Sequence, residues 1–180
     1  MGRHNKSNLN PKGFLSYSWQ IIMPFALLIS IIGNGQNTEK IFLSGTGSDN
    51  TVNWQFFCTG GMNANAWSPI AVPSCWELQG FGKYDYGFAK DSLRGKEQGL
   101  YRHHFNVPVS CKGKVVNIVF EGVMTDAEVK VNGKSAGATH QGAFYAFKYD
   151  ITKLLKPGKV NLLEVKVAKH SSNTLSLIHI

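Results

Sequence analysis

From residue 127 onward, apolar and polar positions alternate with little interruption. Ala127, Val129 and Val131 share one parity, Glu128, Lys130 and Asn132 the other, and the run closes on Asn132-Gly133. A period of two places each set on its own face of a pleated strand, and Asn-Gly is a hairpin signal. "NLLEVKVA" repeats the pattern, with Leu163, Val165 and Val167 set against Glu164, Lys166 and Ala168. Upstream, "LYRHHFNVP" puts Tyr101, His103, Phe105 and Val107 on one face, and "VVNIVFEG" turns Val116, Ile118 and Phe120 inward. "NWQFF", beginning at Asn53, reads as a first strand, "TGGMNANAWSP" as a turn-rich connection, and "IAVPSCW" as extended chain in which Pro73 fixes the backbone.

Two segments break the alternation. In "HQGAFYAFKYDITKLLKPGKVNLLEVKV" (residues 140–167), Asp150 or Thr152 is placed to cap a short helical turn, "ITKLL". Leu154 and Leu155 then plug one end of a sandwich, and Pro157-Gly158 reverses the chain. Residues 79–99 hold five glycines and four aromatics without sustained periodicity. A loop of that length in a compact domain is functional or disordered, and its aromatics favour function. No long amphipathic helix competes anywhere. The pattern predicts an all-β chain folded as an antiparallel β-sandwich of the jelly-roll kind.

The N-terminus follows a different grammar. Arg3, His4, Lys6 and Lys12 precede the apolar run "IIMPFALLISII", and Gly33-Asn34-Gly35 supplies small residues for a cleavage site. The run is short for a membrane span and contains Pro24. Residues 1–35 are therefore expected to be a signal peptide, and the mature protein secreted or periplasmic with no stable membrane span. A polar lead-in (36–50), the sandwich (51–170) and an atypical tail (171–180) follow.

Removing the leader changes the charge. The 19 Lys and Arg, less Arg3, Lys6 and Lys12, leave 16 against 11 Asp and Glu, a balance of +5. These charges are scattered, and no nucleic-acid-reading pattern accompanies them, so nucleic acid is not an expected partner. Cys58, Cys75 and Cys111 are an odd count, compatible with one disulfide plus a thiol or with three free thiols, and their spacing carries no zinc signature. His103 and His104 are adjacent on a strand and point to opposite faces, so they do not jointly hold an ion. No metal and no cofactor is expected.

The ordered series "VPSCWELQGFGKYDYG", "GLYRHHFNVP", "VVNIVFEGVMTDAEVKVNGKSAG" and the 140–167 stretch resembles the N-terminal sugar-binding domain of glycoside hydrolase family 2. That family includes β-galactosidases, β-glucuronidases and β-mannosidases. The resemblance implies a galactose-binding-like jelly roll that contacts a β-linked glycan and braces the barrel domain of a full-length enzyme. Trp76, Lys83, Tyr84, Asp85, Tyr86, Phe88, Glu97 and His140 are the candidate ligand-binding residues. Trp54 and Trp76 also read as core or loop-anchoring aromatics, and His140 also as a loop hydrogen-bonding residue. Arg102 is placed to tie strand ends to a carboxylate such as Asp126 or Asp150.

Glycoside hydrolysis needs two carboxyl groups flanking the scissile bond. The resemblance puts both on a later barrel, so no catalytic residue is assigned here; Glu77, Asp85, Asp91 and Glu97 are the carboxylates from which a makeshift pair would be drawn. The family continues past the "VKV" strand, whereas "TLSLIHI" matches none of its elements. A truncated or frameshifted gene is the expectation, a short final strand the alternative. A free-standing carbohydrate-binding module or lectin-like protein is the competing function.

Overall fold

A computed structural model describes residues 38–84 and 96–171. The leader, most of the tail, and Asp85, Tyr86, Phe88 and Asp91 lie outside the described residues. The described fold belongs to one unit that begins at Lys40.

Eight strands form it: β1 (Val52–Cys58), β2 (Trp67–Val72), β3 (Gln98–Asn106), β4 (Asn117–Phe120), β5 (Ala127–Val131), β6 (Lys134–Ser135), β7 (Phe147–Asp150) and β8 (Val160–Ala168). Six make one antiparallel sheet in the order β2-β1-β3-β8-β5-β6, and β4 pairs antiparallel with β7 in a second. Only short 3₁₀ turns interrupt the strands among the described residues. The chain is an all-β sandwich.

The alternation read from the sequence is the alternation of burial. Leu163, Val165 and Val167 of β8 and Ala127, Val129 and Val131 of β5 are all buried. They join Trp54, Phe56 and Cys58 of β1, Phe105 of β3 and Ile118 of β4 in one core, with Tyr149 of β7 packed against it. Each large apolar side chain removed from water contributes about 1.5–3 kcal/mol before the entropy of ordering it is subtracted. The hairpin between β5 and β6 turns at Asn132 and Gly133, whose φ of 53° and 77° is the doubly left-handed geometry that Asn-Gly tolerates.

The capped turn is also present. Thr152–Leu154 forms one 3₁₀ turn, and Asp150 Oδ1 accepts from the Thr152 amide at 2.9 Å. Leu154 and Leu155 pack against the core. The turn is held by Asn161, which is wholly buried. Its Oδ1 accepts from Asn132 Nδ2 and the Lys156 amide, while its Nδ2 donates to the Lys156 and Lys159 carbonyls.

Two local readings are corrected. The second strand starts at Trp67, not at Ile70, because Asn63 and Asn65, at φ 50° and 64°, complete the reversal early enough for Trp67 to pair with Phe57. Pro69 is tolerated there because β2 is an edge strand. Arg102 does not reach Asp126 or Asp150. It lies directly opposite Glu164 in the β3–β8 register, bonds it at 3.1 Å, and covers the Trp67 ring at 4.3 Å.

Candidate functional site

All the candidate residues but His140 fall, in sequence, on the connection between β2 and β3. After β2 the chain makes a 3₁₀ turn, Trp76–Gln79, closed by Gly80 in the left-handed region, whose amide donates to the Glu77 carbonyl at 3.1 Å. Gly82 then exchanges two backbone hydrogen bonds with Met62, at 2.8 and 3.0 Å. The returning stem enters β3 through Lys96, Glu97 and Gln98, which Thr59 holds through its amide and hydroxyl. These bonds fix where the connection leaves the sandwich and where it comes back.

A buried ion cluster joins the two stems. Lys169 Nζ lies 3.0 Å from Glu77 Oε1 and 3.2 Å from Glu97 Oε1, and the side chains of Lys169 and Glu77 are each only 1% exposed. The Cys75 thiol donates to Glu77 Oε2 at 2.9 Å, and the Lys83 amide donates to Glu97 Oε1 at 3.3 Å. Burial by itself would drive a proton off Lys169; hydrogen bonds and charge from Glu77 and Glu97 outweigh it and hold the ammonium above its usual range. The same burial, reinforced by Glu77, pushes the Tyr101 phenol well up. Cys58, at the end of β1, is also raised by desolvation.

Strand parity explains how these groups meet. On β8 the inward positions are 161, 163, 165 and 167, and the same parity continues to Lys169 and Ser171, both buried. On β3 the inward parity of Tyr101 and Gly99 runs back to Glu97. The β3–β8 register sets Gln98 opposite Ala168, so the next pair is Glu97 with Lys169, and the Lys169 amide donates to the Glu97 carbonyl at 3.0 Å.

The sequence candidates divide accordingly. Trp76 takes its core alternative: it is 5% exposed, its ring sits 5.6 Å from Phe56 and 6.4 Å from Tyr101, and it offers no ring face to solvent. Glu97 is engaged by Lys169 and by the Lys83 amide. Lys83 and Tyr84 are exposed, Tyr84 at 73%. Asp85, Tyr86 and Phe88 lie outside the described residues.

His140 sits at the same end of the large sheet but apart from the stems. It bridges Ala127, which pairs with Val167, which pairs with Gly99. Three strand spacings separate it from β3, roughly 14 Å. Its ring stacks on Phe147 at 3.7 Å and meets Tyr145 edge-on at 5.1 Å, and its Nε2 is buried without a hydrogen-bond partner. The sequence reading gave Lys169 no role.

All three cysteines are free thiols. No group of His, Cys, Asp and Glu among the described residues is arranged to hold a metal ion. No helix among them is long and apolar enough to cross a membrane.

Comparison with known proteins places this geometry. Residues 54–178 match the family described as glycosyl hydrolase 2 galactose-binding domain-like. A β-galactosidase of Bacteroides ovatus is 33% identical over 129 residues, covering 67% of this chain and 15% of its own length. A β-glucuronidase of Formosa agariphila is 33% identical over 126 residues, covering 64% of this chain and 13% of its own. The chain thus spans about a seventh of the relatives it matches. A solved β-D-glucuronidase from Dictyoglomus thermophilum shares the fold, with a TM-score of 0.52 at 20% identity, over 74% of this chain and 20% of that one.

Proposed function

The chain belongs to the glycosyl hydrolase 2 galactose-binding domain-like family, and from that premise we propose that it is the sugar-binding N-terminal domain of a secreted or periplasmic β-galactosidase-type glycosidase. In the whole enzyme it braces the barrel domain and forms one wall of the cleft that receives a β-linked glycan. The observation that carries this reading is the match to the family across the β-sandwich. Lys83 and Tyr84 stand exposed where the β2–β3 connection leaves the sandwich, and an ammonium and a phenol ring are groups of the kind that contact a sugar.

By itself the domain is non-catalytic. A hydrolytic carboxyl pair must reach both faces of the scissile bond. Glu77 is sealed from solvent, and Lys169 pairs with both Glu77 and Glu97, so both carboxylates are engaged within the fold rather than presented to a scissile bond. The leader, on this reading, is removed during export, and N-terminal sequencing of the native-host protein should find mature chain starting near Gln36. Intact Met1 in a membrane fraction would reject that part.

The central test is a titration of the isotopically labelled chain with galactose, glucuronic acid and mannose, followed by NMR. Shifts should concentrate at Lys83 and Tyr84 with a dissociation constant near or weaker than about 1 mM, since one open wall leaves most of the ligand wet. Chromogenic β-galactosides, β-glucuronides and β-mannosides should release nothing above buffer. Absence of any shift would reject the sugar-facing role. Turnover abolished by Glu77→Gln or Glu97→Gln would reject the non-catalytic one. Micromolar affinity would favour a free-standing carbohydrate-binding module.

A further inference from the structure

The Glu77–Lys169–Glu97 cluster ties the 3₁₀ turn after β2, which belongs to no strand, to the stem entering β3 and the end of β8, which are paired with each other. A buried ion triad is weak evidence for stability, because desolvation consumes most of the Coulombic gain. Its position says more. Glu97 Oε1 receives Lys169 Nζ on one side and the Lys83 amide on the other, so one oxygen links the outgoing stem, the returning stem and the last strand. Gly82 leaves no room there: a Cβ on it would collide with Glu97 Oε1 and come within 3.0 Å of Trp76 Nε1, and its φ of +73° disfavours any side chain.

We infer that Lys169 is a positioning residue: its ammonium fixes the Glu97 carboxylate, and through it the backbone at Gly82 and Lys83, which sets where Lys83 and Tyr84 stand. As a role in sugar binding this rests on the function proposed above; as a statement about the stems it does not. Lys169 touches no ligand. It acts by holding the Glu77 and Glu97 carboxylates in place through a shared, buried counter-charge. Among the described residues, titratable groups that face it include Glu77 from the turn, Glu97 from the stem, Cys58 from β1 and, through Glu77, Cys75 and Tyr101.

Hydrogen exchange of the whole purified chain tests this without any sugar. In Lys169→Met, protection of the Gly82 and Lys83 amides should fall by about tenfold or more at pH 7, while Val129 and Val165 in the sheet stay within about threefold. The loss should depend on pH. Without the ammonium, a carboxyl group of the cluster has its folded pKa raised, so protection is retained at low pH and lost as pH rises through that value. The parent chain should show no such step between about pH 5 and 8, and Lys169→Arg should restore parent behaviour.

Unchanged protection at Gly82 and Lys83, or an equal, pH-independent loss across β5 and β8, would overturn the assignment. Should Lys169→Met not fold, Glu97→Gln decides: it keeps an acceptor for the Lys83 amide but weakens the tie to Lys169. A severalfold loss confined to Gly82 and Lys83 supports the inference, and none refutes it. Failure of the sugar titration would remove the proposed function and leave this result standing.

Discussion

Adding one methyl group at Gly99 probes the floor beneath the candidate site. Gly99 is buried in β3, between Cys58 of β1 and Val167 of β8, with its inward side under the Trp76 indole. A Cβ built there would lie 2.5 Å from Trp76 Cζ3 and 2.6 Å from Phe56 Cε2, where ordinary contact begins at 3.4 Å. Each ring must retreat by about 1 Å, and neither has slack in a close-packed core. Phe56 is fully buried, with its ring 5.0 Å from Phe81 and 4.7 Å from Tyr101. Overpacking of this kind costs about 2–3 kcal/mol, against a gain of about 0.5 kcal/mol from a stiffer unfolded chain. Gly99→Ala should therefore lower Tm by roughly 5–10 °C in a circular-dichroism melt. Making room should relieve it, so Gly99→Ala should cost at least about 1 kcal/mol less in a Trp76→Leu background. A Tm within about 1 °C of the parent, or strict additivity in the double variant, would refute the packing argument.

Three further outcomes follow from other parts of the molecule. Asn161→Ala removes four hydrogen bonds around the Thr152–Leu154 turn, among them the acceptor of the Lys156 amide, and leaves a gap at a wholly buried position, so urea denaturation should show a loss of about 2–3 kcal/mol; less than about 1 kcal/mol would contradict the network reading. Stability should hold to about pH 9.5 and then fall. The partly buried Tyr101 phenol stays protonated above its usual 10.0 while the unfolded chain releases the proton, and the Lys169 contribution, complete below 10.5, is lost as pH climbs through its raised folded value; a melt unchanged at about pH 11 would refute both assignments. With all three cysteines free, melts with and without reductant should agree within about 2 °C, and a larger difference would imply a disulfide.

Much of the sandwich was legible because one face of each main strand is buried, so burial imprints a period of two on the sequence. β5 and β8 are the clearest cases: every residue read as inward is buried. Asn132-Gly133 was readable for a different reason, since few other pairs accept two left-handed residues in succession. Legibility failed where the determinant was a partner distant in sequence. Nothing in "YRHH" says that Arg102 faces Glu164; the β3–β8 register does. Trp67 looked like part of a turn because the asparagines and glycines before it carry turn chemistry, yet its own place is set by pairing with Phe57. The core position of Trp76 was one of two readings that its large ring allowed.

Lys169 is the instructive omission, because the signal for it was present and was overruled by residue type. The inward parity of β8 runs Asn161, Leu163, Val165, Val167, and two further steps give Lys169 and Ser171. A lysine normally ends an apolar series, since burying an unpaired ammonium is prohibitive. The inference should have run the other way. If the strand continues and the parity holds, a lysine there demands carboxylates, and antiparallel pairing says where to look. Backward along β3 the same parity passes Tyr101 and Gly99 and arrives at Glu97, which is the residue the register sets opposite Lys169. Glu77 could not be found this way, because it comes from a 3₁₀ turn with no strand register at all. Polar residues on a buried parity are thus the points where a β-sandwich announces a contact that hydrophobic patterning cannot supply. In this chain that contact lies where the candidate sugar-facing segment joins the fold.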